Sequence, residues 1–201
     1  MRQRVGALSV SAHKSPPLPS DPDGGTLDIG ALYRVHDQTV LRWATRLGGP
    51  GIDAEDVVQD VFLIAKRRLR TFDGPGQVTT WLFRTTEKVV QAARRKQRLR
   101  RWLALASEVG PRVMATPLAG PSESLQRDRD IAEVYRVLDR LPPRERKVMI
   151  LFELEGLSTQ EIGALTGARV GTVRVWLFRA RARFLEEHQQ LFPARDGGVS
   201  Q

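Results

Sequence analysis

The chain has no cysteine, which excludes disulfides, thiolate nucleophiles and cysteine-bound zinc. Histidine is almost as scarce: His13, His36 and His188 lie far apart in the sequence, so no imidazole cluster is expected. No apolar run approaches the ~18 residues that a membrane span needs. The opening stretch, MRQRVGALSVSAHKSPPLPSDPDGG, is too polar for a secretory core. No segment alternates apolar and polar residues as a half-buried strand does. No Ser/His/Asp constellation, glycine-rich phosphate loop or catalytic carboxylate pair stands out, so neither a catalytic site nor a cofactor is expected. Glu55, Asp56 and Asp60 offer carboxylates on one helix but no histidine, a poor case for a metal. These absences lead to the expectation of a cytoplasmic, all-α protein without enzymatic activity.

What is abundant is positive charge. Thirty-two Lys and Arg stand against 23 Asp and Glu, a net charge of +9. Such a balance favours nucleic acid or an anionic membrane surface as partner. Residues 1–26 carry Pro, Ser, Gly and Asp with little periodicity and read as a flexible tail. Helical patterning runs from about Leu27 to Leu47 and stops at the Gly48–Gly51 break. Asp53 then caps a helix reaching about Leu69, with Val57, Val58, Val61, Phe62, Ala65 and Leu69 at helical spacing. TFDGPGQV, Thr71–Val78, is a loop by its glycines and proline. A long helix follows from Thr79 or Thr80 to about Trp102. Residues 107–124 are rich in Pro, Gly and Ser, and helices resume near Gln126. The organisation expected is a tail (1–26), a helical module (27–102), a linker (103–128), a second helical module (129–190) and a tail (191–201).

In the second module, Pro142 and Pro143 open a helix, a first-turn position where proline forfeits no hydrogen bond, and Gly156 closes it. Ser158 and Glu161 have capping-box spacing at the start of a short helix. Gly167 and Ala168 make a tight turn, and a further helix starts near Val170–Thr172. This is the layout of a helix-turn-helix. Five arginines and no acid lie between Arg169 and Arg183. Val173, Leu177, Ala180 and Phe184 share a narrow arc that must be buried, while Gly171, Val175, Phe178 and Ala182 lie opposite. Thr172, Arg174 and Arg179 flank the outer face. An arginine there can reach a guanine edge bidentately, worth ~1–3 kcal/mol of discrimination, and Val175 can meet a thymine methyl. Arg181 and Arg183 suit phosphates. The alternative is a solvated basic helix, disfavoured by the scaffold upstream.

In the first module, Arg84, Lys88, Gln91, Arg95 and Arg98 advance in steps of four and three and so form one basic stripe. Val78, Trp81, Leu82, Thr85, Val89, Ala92 and Ala93 are expected on the other side. With Phe72 and Trp81 nearby, the stripe has the make-up of a single-strand-binding surface, where stacking is worth ~1–3 kcal/mol per base. A solvated helix face, and core packing of Trp81, are the competing explanations. The preceding helix opens with Asp53, Glu55, Asp56 and Asp60. These acids either complement the helix dipole or face a basic protein partner.

DAEDVVQDVFLIAKRRLRTFDGPGQVTTWLFR resembles the core-binding and promoter-melting module of bacterial sigma factors, and LPPRERKVMILFELEGLSTQEIGALTGARVGTVRVWLFRARARF resembles their C-terminal helix-turn-helix. Two such modules joined by a short linker are similar to the compact extracytoplasmic-function (ECF) group. The resemblance implies that Glu55, Asp56, Gln59 and Asp60 dock on the clamp helices of the largest subunit of core RNA polymerase. It implies that the loop with Phe72 and Asp73 captures a flipped base of the minus-ten element. Trp81, Arg84, Lys88 and Arg95 would grip the melted non-template strand. Thr172, Arg174, Val175, Phe178, Arg179 and Arg181 would read the minus-thirty-five element of promoter DNA as duplex. It also implies an anti-sigma factor as a further partner, one able to hold the protein at the membrane. Two departures stand out. Lys88 and Ala92 replace residues that are often Asn and Asp in the family, and Val175 and Trp176 replace Ser and Arg. The rivals are a plain helix-turn-helix regulator, which leaves the acidic helix and the basic stripe without a joint purpose, and an RNA- or membrane-binding protein, which needs no helix-turn-helix.

Overall fold

A computed structural model describes residues 28–68, 78–106 and 122–193. The described residues are helical, with no strand among them: α1 (Ile29–Gly48), α2 (Ala54–Arg68), α3 (Val78–Ala106), α4 (Ser122–Leu138), α5 (Pro143–Met149), α6 (Thr159–Thr166) and α7 (Val170–Leu191), with a π-helical turn, Ile150–Leu154, continuing α5. The tail expected at 1–26, Leu69, all but Val78 of the loop expected at 71–78, the middle (107–121) of the linker expected at 103–128, and residues 194–201 of the tail expected at 191–201 lie outside the described residues. Helix takes both ends of the segment read as a linker, since α3 continues to Ala106 and α4 starts at Ser122, ahead of Gln126.

The first module is α1, α2 and α3. Asp28 caps α1, its carboxylate accepting from Gly30 N at 3.1 Å and Ala31 N at 3.0 Å. Those two backbone bonds hold the exposed carboxyl below its ordinary range. Leu32, His36, Val40, Trp43, Ala44 and Leu47 then follow helical spacing into the core. Gly49 ends the helix at φ 80°, its N–H bonded to Thr45 O at 2.9 Å. Asp53 caps α2 through Oδ1, which accepts from Glu55 N and Asp56 N at 3.0 and 3.1 Å. Val57, Val58, Val61, Phe62 and Ala65 are buried as expected. Burial of each large side chain contributes roughly 1.5–3 kcal/mol. Trp43 meets Phe83 edge-on at 5.2 Å.

The buried arc of α3 differs from the expected one. Leu82, Phe83, Thr86 and Val90 are almost fully enclosed, while Ala92 is exposed and Trp81 is half-buried. α3 is covered by three helices, α1 and α2 of its own module and α6 of the second, and Phe83 meets Trp43 of α1. A periodicity argument assumes a single buried face and so misplaces this arc.

The second module packs α5 and α6 against α7. Val137, Leu138, Leu141, Val148, Ile150, Leu151, Ile162, Val173, Leu177 and Ala180 are its buried centre. Pro143 occupies the first turn of α5, as expected. In the π turn, Glu155 N bonds to Ile150 O at 3.1 Å and Leu157 N to Leu151 O at 3.0 Å, before Gly156 turns the chain at φ 71°.

His36 is 1% exposed, and burial pushes its pKa below the ordinary 6.5. The folded state therefore holds the neutral imidazole, whereas the unfolded chain takes up a proton near pH 6.5. Below that pH the unfolded state binds more protons, and stability falls by at most about 1.4 kcal/mol per pH unit. Urea unfolding between pH 7.5 and 5.5 should show the midpoint falling with pH, and His36→Leu should flatten that dependence.

Candidate functional site

The turn between α6 and α7 is built from short-range chemistry. Ser158 Oγ accepts from Glu161 N at 3.2 Å, and Glu161 Oε2 accepts from Ser158 N at 2.8 Å, which closes the capping box. The backbone bond from Ser158, with its hydroxyl, holds the Glu161 carboxyl below the usual range. Gly167 ends α6 at φ 76° with its N–H on Gly163 O at 2.8 Å. A Cβ on the buried Gly163 would lie 3.0 Å from Ala168 O, so the turn can pass this closely only over glycine.

On α7, Val173, Leu177 and Ala180 face the core. Phe184, expected with them, is half-buried. Arg174, Val175, Phe178, Arg179 and Ala182 are exposed, Thr172 is half-buried, and Phe178 is 75% exposed, a large apolar side chain left in water. Arg174 and Arg179 have no ion-pair partner among the described residues. Arg181 is braced within the module, with Nε and Nη2 on Glu153 Oε1 at 2.9 and 2.7 Å and its guanidinium 5.0 Å from the Phe152 ring centre. Arg183 Nε lies 3.3 Å from Glu145 Oε2. The arginines of this helix thus fall into an outward pair and a pair that ties α7 to Glu153 of the π turn and Glu145 of α5. Trp176 is half-buried with the Arg144 guanidinium 5.7 Å from its ring centre, so it packs rather than points outward.

In the first module Glu55, Asp56, Gln59 and Asp60 are all exposed along the start of α2. A groove of about 740 Å³ runs between α2 and α3, with Asp56 and Asp60 on one wall and Lys96 and Arg100 on the other. The stripe of Arg84, Lys88, Gln91, Arg95 and Arg98 is exposed along its length, as its spacing requires. Gln91 Nε2 donates to Glu87 Oε1 at 3.0 Å. Phe72 and Asp73, assigned to base capture, lie outside the described residues.

The sequence did not foreshadow a second set of residues, those through which the modules meet. Tyr135 Oη donates to Arg46 O at 2.9 Å, and Arg146 Nη1 donates to Leu47 O at 2.8 Å. Glu155 takes Arg42 at 2.9 Å and Arg46 at 3.1 Å, and Arg46 also donates to Leu154 O. Arg94 reaches Asp139 at 2.6 Å, and Lys147 reaches Glu87 at 2.7 Å. These partners are separated by 45 to 113 residues, so no local pattern reports them.

Comparison with known proteins places these features in context. Residues 32–100 match the family described as Sigma-70 region 2, and residues 131–184 match Sigma-70, region 4. The chain is 36% identical over 161 residues to the ECF RNA polymerase sigma factor SigE of Mycolicibacterium smegmatis; the alignment takes in 78% of this chain and 61% of SigE. It is 30% identical over 164 residues to the RNA polymerase sigma factor CnrH of Cupriavidus metallidurans, covering 80% of this chain and 86% of CnrH. A solved structure of CnrH in complex with the cytosolic domain of CnrY superposes with a TM-score of 0.54 at 26% identity, covering 79% of this chain and 85% of that one.

Removing the cap at the head of the turn tests how far it holds α6. Ser158→Ala should cost about 1 kcal/mol, the usual worth of an N-cap side chain, read as a lower urea midpoint with an unchanged slope.

Proposed function

Since this chain belongs to the ECF sigma factors, which direct RNA polymerase to promoters, we propose that its exposed surfaces divide the work of initiation. The acidic start of α2, through Glu55, Asp56, Gln59 and Asp60, docks on the clamp helices of the polymerase's largest subunit. The α3 stripe, with Arg84, Lys88 and Arg95, holds the melted non-template strand of the minus-ten element, Trp81 standing at its edge. Phe72 and Asp73 belong to the loop that captures a base. The outer face of α7, through Thr172, Arg174, Val175, Phe178 and Arg179, reads the minus-thirty-five element as duplex, with Arg181, which Glu153 holds, bordering it. The two activities lie within residues 27–102 and 129–190.

The observation that supports this reading is the separation of charge by helix. Carboxylates lead α2, while outward-facing cations occupy α3 and α7 of the same chain. A duplex-binding regulator needs only α7. Recognition is this protein's contribution, and bond-making chemistry belongs to the polymerase. Val175 is 48% exposed on the reading face, so its departure from the family's usual serine alters distal-element preference by trading a hydroxyl for an apolar contact. Lys88, also exposed, exchanges an amide able to read a base edge for a phosphate-seeking charge.

We further propose an anti-sigma factor as a regulatory partner, a reading supported by the solved complex of CnrH with the cytosolic domain of CnrY. No helix among the described residues is long and apolar enough to cross a membrane.

Asp56→Arg with Asp60→Arg should weaken co-purification with core polymerase while both modules stay helical by circular dichroism; undiminished holoenzyme assembly would remove α2 from the docking surface. On duplex promoter fragments, Arg174→Ala should relax preference at one distal position. Arg179→Ala should weaken binding evenly across sequences and lower the salt slope by about one. An unaltered footprint and slope in both variants would exclude α7 as the reader.

A further inference from the structure

We propose that the cavity between α3 and the start of α5 is a binding site for a small organic diphosphate, held by arginines from both sides. Its volume is about 250 Å³, close to the ~300 Å³ at which ligand pockets begin. Leu47, Val90, Leu141 and Pro143 give it an apolar wall. Arg94, Arg95, Arg98, Arg146 and Lys147 give it a cationic one. Apolar surface with a few convergent polar groups is the usual make-up of a small-molecule site.

The positive charge of this cavity is not matched from within. Among the described residues its lining holds two acids, Glu87 and Asp139. Lys147 takes Glu87 at 2.7 Å. Arg94 and Arg146 share a single oxygen of Asp139, from 2.6 and 3.3 Å. Arg95 and Arg98 are exposed and have no acid beside them among the described residues. An excess of three positive charges remains. The shortfall is sharpest at Arg146, which is 9% exposed. Its Nη1 donates to Leu47 O at 2.8 Å, but its buried Nη2 has no hydrogen-bond partner among the described residues. A buried donor ordinarily finds one. Burial first, and then the Arg94 charge, push the Arg146 guanidinium down to about 10. An anion in the cavity would favour the charged form and oppose that shift.

The charge and the wall together select the ligand class. An organic diphosphate carries about three negative charges near neutral pH, equal to the excess, whereas a carboxylate brings one. Guanidinium forks match phosphate oxygens two at a time. The organic body covers Leu47, Val90, Leu141 and Pro143, which bare pyrophosphate would leave in water. A DNA strand offers the same phosphate chemistry from another source. Gln91, Arg95 and Arg98 line the cavity and also belong to the α3 stripe assigned to the melted strand. Ligand and strand therefore exclude each other. That consequence rests on the sigma-factor reading; the site itself does not.

Calorimetric titration of the full-length chain at constant ionic strength tests the site, with adenosine diphosphate, pyrophosphate and a short single-stranded oligonucleotide as probes. Adenosine diphosphate should bind saturably, one per chain, and pyrophosphate about tenfold more weakly. Arg95→Gln with Arg98→Gln, both at exposed positions, should weaken adenosine diphosphate by about tenfold. Arg146→Lys keeps the charge and loses the fork, and should weaken it from the opposite wall. The exposed pair carries the decision, because Arg146 is enclosed and its replacement can disturb the fold. Arg127→Gln with Arg129→Gln removes the same charge from exposed positions outside the cavity and should change nothing. No saturable binding of adenosine diphosphate overturns the site. An equal loss in the Arg127, Arg129 variant overturns it too, since the attraction would then be general. Binding of the oligonucleotide alone also overturns it and makes the cavity part of the strand's path. An oligonucleotide that binds alongside adenosine diphosphate keeps the site and removes the α3 stripe from the strand.

Discussion

The carboxyl end of α1 is the point at which this protein becomes one body. A helix end must find partners for its last carbonyls, and here Tyr135 and Arg146 supply them from beyond the intervening linker. Everything distinctive about the arrangement follows from that demand. The Gly48–Gly49 turn gives the Tyr135 ring room, Glu155 anchors the α1 arginines, and α6 comes to rest on α3. Hydrogen bonds and charge pairs line the contact between α1 and the second module, beside the packing of α6 on α3.

The three outward surfaces are kept apart by the same economy. Acids crowd the start of α2, where the helix dipole favours them and where Asp53 caps the chain. Cations take the outer face of α3 and of α7, whose inner faces supply the core. Arg181 and Arg183 show that a basic helix does not commit all its charge to a ligand. Their pairing with Glu153 and Glu145 fixes α7 on its scaffold and leaves Arg174 and Arg179 toward its amino-terminal half to face outward.

Much of this was legible in the residue pattern because the signals are local. A capping box needs only Ser158 and Glu161, and both of its bonds form. The stripe from Arg84 to Arg98 needs only helical spacing. The buried faces of α2 and α7 follow from single-sided amphipathicity, although Phe184 at the edge of its arc is only half-covered. The reading of α3 failed at Phe83, Thr86, Val90 and Ala92, where burial depends on which neighbouring helices cover α3 rather than on its own spacing.

What the amino-acid sequence determined on its own was the set of helices, their caps, the helix-turn-helix and the sign of charge on each exposed face, since each of these is settled within a few residues. What only the tertiary structure decided was how the second module sits on the first. That arrangement joins Arg42 and Arg46 to Glu155, Arg94 to Asp139 and Arg146 to the end of α1 across 45 to 113 residues. No spacing rule spans such distances; the pairs exist only because packing brings a helix end, its orphan carbonyls and two buried charges to one place.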